Sequence, residues 1–198
     1  MYRTRADDEL SWRQERSATL SLELIREYAK RKDCIVDAGG GSSQLSSQLW
    51  EDGFRCITVV DIAESGLARA QSRLRAPHQE IKWLRRDLAR ASRLPKCEVW
   101  HDRAVFHFFV QAGARAAYVA NLRGSLEPGG VAIIATFAPD GPEKCSGLPV
   151  QRYAAPELAR ALGSGFLLES SRRELHSTPW GTTQPFCYAV VRRTGPPN

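Results

Sequence analysis

An α/β fold built on a mostly parallel sheet, with an antiparallel hairpin at its end, follows from three features of the sequence. Short β-branched or apolar runs alternate with segments of helical period between residues 34 and 137. The first three of those runs close on an acidic residue, and the first passes directly into a glycine-rich turn. The last two runs, 166–170 and 184–191, read as a terminal hairpin.

In chain order, residues 1–16 are polar apart from Tyr2, Leu10 and Trp12. Leu20, Leu24, Ile25 and Tyr28 then recur at helical spacing, with Ser17 as the candidate N-cap. Cys34-Ile35-Val36-Asp37-Ala38-Gly39-Gly40-Gly41 reads as a strand entering a turn, and Leu45, Leu49 and Trp50 place a helix after it that ends at Gly53. Glycines in such a turn accept positive φ and let a ligand lie against bare main chain, while the helix start offers free N–H groups. The stretch is therefore a nucleotide cradle. The dinucleotide fingerprint G-x-G-x-x-G fails at Gln44, and an acid just before the turn argues against a phosphate.

Cys56-Ile57-Thr58-Val59-Val60 is the next strand and closes on Asp61, 24 positions after Asp37 (61 − 37). A spacing of about 20 separates a Rossmann-like first turn from the acid that holds ribose hydroxyls. Leu67, Ala70 and Leu74 mark a helix, and residues 81–86 a third strand ending in Asp87-Leu88. Residues 98–102 form a fourth. Open α/β sheets bind ligands at the carboxyl ends of their strands, so His101, Asp102 and Arg103 are expected to face the site. Ala114, Ala117, Tyr118, Leu122 and Leu126 trace a helix closed by Glu127-Pro128-Gly129-Gly130, and residues 131–137 are the most continuously apolar run, as befits a central strand. Residues 138–152 read as a long irregular segment, whose length and position favour function. A short helix with Pro156 in its first turn and Gly163 at its end leads into the hairpin, whose two strands are separated by a polar loop at 176–183.

At 198 residues the chain is expected to be one domain, 1–198, with residues 1–30 forming an arm and helix. No apolar run is long enough to span a bilayer and the N-terminus has no signal-peptide core, so a cytoplasmic protein without a membrane partner is expected. Five cysteines without a C-x-x-C indicate neither a disulfide framework nor a zinc site. Cys34, Cys97 and Cys187 read as small core hydrophobes, whereas Cys145, in a loop, is the one least explained by packing. The net charge of +6 is spread in pairs such as Arg85-Arg86, Arg172-Arg173 and Arg192-Arg193. That pattern reads as a solvated surface and argues against a nucleic-acid partner.

The ordered set Asp37-x-Gly39-x-Gly41, Asp61, Asp87-Leu88 and the L-x-P-G-G turn of Leu126, Pro128, Gly129 and Gly130 resembles the motifs of the class I, seven-stranded, Rossmann-like S-adenosylmethionine (SAM)-dependent methyltransferases. The likeness covers about residues 12–193. It departs from the family at Ser43, where a third glycine is frequent, and at His101-Asp102-Arg103-Ala104, where many amino-group methyltransferases carry Asn/Asp-Pro-Pro-Phe/Tyr. The second departure argues against methylation of nucleic-acid bases or glutamine.

The resemblance implies a doubly wound, mostly parallel seven-stranded sheet with helices on both faces and an antiparallel last strand. It implies SAM as cofactor, S-adenosylhomocysteine (SAH) as product, and no metal. Trp12, Asp37, Gly39, Gly40, Gly41, Asp61, Ile62, Asp87, Leu88 and His101 are the cofactor-binding residues it implies, with Asp61 on the ribose and Asp87 on the adenine amino group. The Ser11-Trp12-x-Gln14 run resembles a lid over the cofactor. Transfer is an in-line displacement, and a base is useful only where the acceptor must lose a proton. His101, Asp102 and His107 are the catalytic candidates, although His107, inside an apolar and aromatic run, also reads as a core histidine. Arg103, Cys145 and Trp180 are the substrate-binding candidates. A small-molecule O, N or S acceptor is the first reading. A protein (lysine) methyltransferase is the alternative, and a SAM-binding protein without methyl transfer the second alternative.

Overall fold

The computed structural model describes residues 19–74, 80–178 and 181–195. The arm with Trp12, the cap candidate Ser17, and Trp180 lie outside the described residues. The β-branched and apolar runs form β1 (Cys34–Ala38), β2 (Cys56–Asp61), β3 (Lys82–Arg85), β4 (Cys97–Arg103) and β5 (Leu126–Phe137), and the terminal hairpin supplies the last two sheet strands. The helical-period segments form α1 (Thr19–Tyr28), α2 (Leu45–Glu51), α3 (Glu64–Arg73), α4 (Ala112–Ser125) and α5 (Ala155–Leu162). The small strands β6 (Lys144–Cys145) and β7 (Leu148–Pro149) precede α5 in the chain, and β8 (Phe166–Ser177) and β9 (Thr183–Arg193) follow it.

The main sheet has seven strands in the order β3-β2-β1-β4-β5-β9-β8. All pairings from β3 to β5 are parallel, while β9 runs antiparallel to both β5 and β8. Because the chain goes from β1 outward to β2 and β3 and then crosses back to β4, the switch point lies between β1 and β4. A crevice opens there at the carboxyl ends of the strands.

Alternation along the strands divides the core into two layers. Ile35, Ile57, Val59, Val99, Ile133 and Tyr188 face α1, α2 and α3, meeting Leu24, Ile25, Leu45, Leu49 and Leu67. Val36, Val60, Trp100, Ile134 and Val191 face α4 and α5, meeting Tyr118, Leu122, Leu158 and Leu162. Both faces of β5 are buried from Val131 onward, which is why that strand reads as one apolar run rather than an alternation. Among the described residues, no helix is long and apolar enough to cross a membrane.

Four sequence expectations need correction. Cys34 and Cys56 are register partners on β1 and β2 and are joined as a disulfide, so Cys34 is not a free core thiol. Spacing alone gave no hint of this, since the bond depends on the two strands being neighbours in register. Segment 138–152 contains the β6–β7 hairpin, and Cys145 is a buried strand residue, not a loop one. The loop expected at 176–183 is shorter, because β8 runs to Ser177 and β9 starts at Thr183. Finally, residues 127–130 are the irregular start of β5 rather than a separate turn. The β4–β5 register breaks between Cys97 and Val99, Gly129 takes φ +81°, and a side chain on Gly130 would strike the Glu98 carbonyl.

Candidate functional site

The glycine turn is shaped by contacts that exclude side chains. Gly39 and Gly41 have positive φ, +77° and +41°. A Cβ on Gly39 would overlap Val105, and one on Gly40 would strike the Asp37 carboxylate and Val59. Ser43 then closes the turn: its N–H donates to the Gly40 carbonyl at 2.7 Å, and its hydroxyl accepts from the Leu45 N–H at 3.0 Å at the start of α2. The serine that departs from the frequent glycine thus closes a serine turn leading into α2, whose N-cap position is Gln44.

At the end of β2, Asp61 is nearly buried and accepts a hydrogen bond from the Ala63 N–H at 2.7 Å. Burial pushes its carboxyl above the ordinary range; the N–H groups of Ala63, Gly41 and Ile62 oppose that, and Asp37 adds to it. The side chain of Ile62, directly after it, is 61% exposed, an apolar surface beside a carboxylate. Asp87, after β3, caps its own turn through the Ala89 N–H at 2.9 Å and pairs with Arg90 at 3.4 Å. Leu88 is buried, and its carbonyl accepts from Asn121 at 3.2 Å.

The three residues ending β4 part company. Alternation sends His101 and Arg103 to the α1 face and Asp102 to the α4 face, so the expectation that all three share the site is corrected. Asp102 is fully buried and accepts hydrogen bonds from the Tyr118 hydroxyl at 2.6 Å and from the N–H groups of Val105 and Phe106 at 3.0 and 3.1 Å. It anchors the chain leaving β4. Arg103 donates to Glu174 at 3.1 Å and to the Tyr188 hydroxyl at 3.0 Å, and its guanidinium lies 4.2 Å from the centre of the Phe186 ring. Tyr188 in turn meets Glu174 at 3.0 Å and Ser21 at 3.2 Å. None of Glu174, Tyr188, Ser21 or Tyr118 carries a local sequence signal, because each meets its partner only across the folded sheet.

His101 pairs through Nδ1 with Asp37 Oδ1 at 2.8 Å. His107 sits in a 3₁₀ turn, Phe106–Phe108, packed against Phe108 and Phe137. Burial and the nearby Arg103 charge pull its pKa down to about 3, so it stays neutral. Its Nδ1 accepts the Phe137 N–H at 3.5 Å, which leaves the hydrogen on Nε2. Among the described residues, no group of three or more His, Cys, Asp or Glu side chains is arranged to hold a metal.

Asp102 gives a pH prediction. Burial raises its carboxyl to about 6, against the opposing donors named above. A carboxyl with a folded pKa above its unfolded value of about 3.9 binds its proton more tightly when folded. Its contribution to stability is therefore complete below about pH 4 and lost as pH rises through about 6. Asp102→Asn removes this dependence. Urea unfolding of both proteins between about pH 4 and 7 should show the wild type losing roughly 3 kcal/mol relative to the variant across that window, and parallel curves would contradict the assignment.

Comparisons with known proteins agree with this fold. Residues 35–130 match a family described as a methyltransferase domain. Among solved structures, one concerned with conversion of a disulfide bond into a thioacetal group during echinomycin biosynthesis is 17% identical. It has a TM-score of 0.78 and covers 98% of this chain and 88% of that one. The 1,6-didemethyltoxoflavin-N1-methyltransferase of Burkholderia thailandensis, solved with 1,6-didemethyltoxoflavin and SAH, is 20% identical. Its TM-score is 0.70, over 89% of this chain and 78% of that one. A curated relative, the eEF1A lysine and N-terminal methyltransferase of Danio rerio, is 34% identical over 50 residues, 25% of this chain. The matched stretch is only 7% of that relative's length.

Proposed function

We propose that this chain is a class I methyltransferase using SAM, a reading supported by its domain match over residues 35–130 and its seven-stranded fold, and that it methylates an O, N or S atom of a small molecule. The observation that carries the reading is the convergence of four features at the carboxyl ends of adjacent strands: the Gly39–Gly41 turn, Asp61 with exposed Ile62, Asp87-Leu88, and the Asp37–His101 pair.

The residues fit the group they would hold. The turn is bare main chain where a side chain could not fit, Asp61 offers a carboxylate for a diol, and Ile62 offers an apolar face to a purine. Bound SAM supplies a methyl on a sulfonium, which makes that carbon electrophilic and lets sulfur leave as a neutral thioether. The chain's own part is to orient the two reactants in line, keep water away, and take a proton where the acceptor has one to lose. His101 is the residue placed for that proton. Asp102 and His107 are held in packing, and Arg103 is held by Glu174, so they shape the chamber and have no proton to exchange in this reading. Trp12 as lid and Trp180 as chamber wall remain parts of the proposal that lie outside the described residues.

A second reading has its own support: the short match to an eEF1A lysine and N-terminal methyltransferase favours a protein acceptor. Incubating the protein with labelled SAM, in parallel with metabolite pools and with protein extract, separates the readings. Label in small molecules supports the first, label in polypeptide the second, and SAM binding without label transfer in either supports a binding protein. The cofactor assignment has its own test. Asp61→Ala should weaken SAM binding by roughly 1.5–3 kcal/mol, the worth of a hydrogen bond to a charged group. Unchanged affinity by calorimetry would remove Asp61 from the site.

A further inference from the structure

Asp37 and His101 are direct register partners across the β1–β4 pair, at the switch point of the sheet. Their side chains are 3% and 5% exposed and meet at 2.8 Å. A carboxylate can only accept a hydrogen bond, so Nδ1 of His101 carries the hydrogen between them. In the neutral ring, Nε2 is then left with a lone pair and no hydrogen. That atom is shut off from solvent and has no hydrogen-bond partner among the described residues, and the same holds for Asp37 Oδ2. Leaving a buried acceptor unpaired is costly, and this one stands where parallel sheets take their ligands.

We propose that Asp37 is a positioning residue that holds His101 in the Nδ1–H form, so that Nε2 receives a proton from the methyl acceptor. The acceptors selected would then be those whose attacking atom bears a hydrogen. The inference rests on the methyl-transfer reading and names its substrate class: a hydroxyl, a thiol or an N–H, and not a thioether or a tertiary amine. The acceptor's lone pair forms the bond to the methyl carbon, and the electron pair of the carbon–sulfur bond stays on sulfur. The acceptor's hydrogen passes as a proton to Nε2. The resulting imidazolium is stabilised by the Asp37 carboxylate and returns the proton to water before the next turnover. His107 cannot substitute, because its Nδ1 faces a main-chain N–H and its Nε2 already holds the hydrogen.

Proton-coupled ¹⁵N NMR of the histidine-labelled full-length protein, free and with SAH, reads the tautomer without turnover, and His101→Asn assigns the signal. The expected wild-type spectrum has Nδ1 protonated and Nε2 bare, and Asp37→Asn should lose that single form. An Nε2–H tautomer in the wild type overturns the proposal, as does an unchanged tautomer in Asp37→Asn. If that variant fails to fold, the wild-type spectrum decides alone. In turnover, Asp37→Asn should lower kcat by about 10²-fold, with a smaller change in KM for the acceptor. The product formed from labelled SAM should carry its methyl on an atom that formerly bore hydrogen, and a new sulfonium or quaternary ammonium would refute the substrate class. Failure of SAH to bind by calorimetry would instead sink the methyltransferase reading, while the tautomer of the free protein would still test the Asp37–His101 pair.

Discussion

Glu174→Ala should cost about 3–5 kcal/mol of stability, the usual consequence of stripping one partner from a buried ion pair. The Arg103 side chain is 11% exposed and that of Glu174 17%, so water can replace little of the lost contact. Removing the carboxylate leaves the Arg103 guanidinium with the Tyr188 hydroxyl and the Phe186 ring and, among the described residues, no counter-charge. At about 2–4 °C per kcal/mol for a chain of this size, the melting temperature should drop by roughly 10 °C or more. Glu174→Gln keeps the shape and an acceptor oxygen and should fall between the two. A melting temperature for Glu174→Ala within about 2 °C of wild type, on the same scale, would show that Arg103 finds its counter-charge elsewhere. Arg103 was a substrate-binding candidate from its place at a strand end. The tie to Glu174 gives it a structural employment on β8 and β9, 71 and 85 residues away in sequence.

The second large effect is expected in catalysis. His101→Ala should lower turnover by about 10²-fold or more while SAM affinity stays near wild type, because in the proposed mechanism the ring takes a proton and does not hold the cofactor's main recognition groups. The alanine variant also leaves the buried Asp37 carboxylate without a donor, so His101→Asn is the cleaner companion. It can still donate toward Asp37 but has no base. Both variants should bind SAM by calorimetry and turn over slowly in a steady-state assay with the identified acceptor. Normal turnover across pH in His101→Asn would take His101 out of the chemistry, and the chamber would have to be redrawn.

The local parts of this molecule were legible in its residues. Strands β1, β2, β4 and β5 announce themselves as apolar runs, α5 by Pro156 and Gly163, and the cradle by three glycines after an acid. The 24-position step from Asp37 to Asp61 placed two carboxylates at neighbouring strand ends, and the parallel β1–β2 register keeps them there. These features depend on contacts within a few residues or within one β-α-β repeat, where periodicity and turn chemistry suffice.

What the sequence by itself determined is therefore the order of elements and the residues at strand ends. The tertiary structure alone decided which of those residues meet. Consecutive positions 101, 102 and 103 looked equivalent, yet the two-residue period of a strand sends Asp102 beneath α4 to Tyr118 and leaves His101 and Arg103 on the α1 face. The pairing of His101 with Asp37, of Arg103 with Glu174 and Tyr188, and of Cys34 with Cys56 all depend on which strands lie side by side and in what register. A one-residue slip would turn every one of these side chains to the other face. Register is set by packing the whole sheet between its two helical layers, and no local stretch of the chain encodes it.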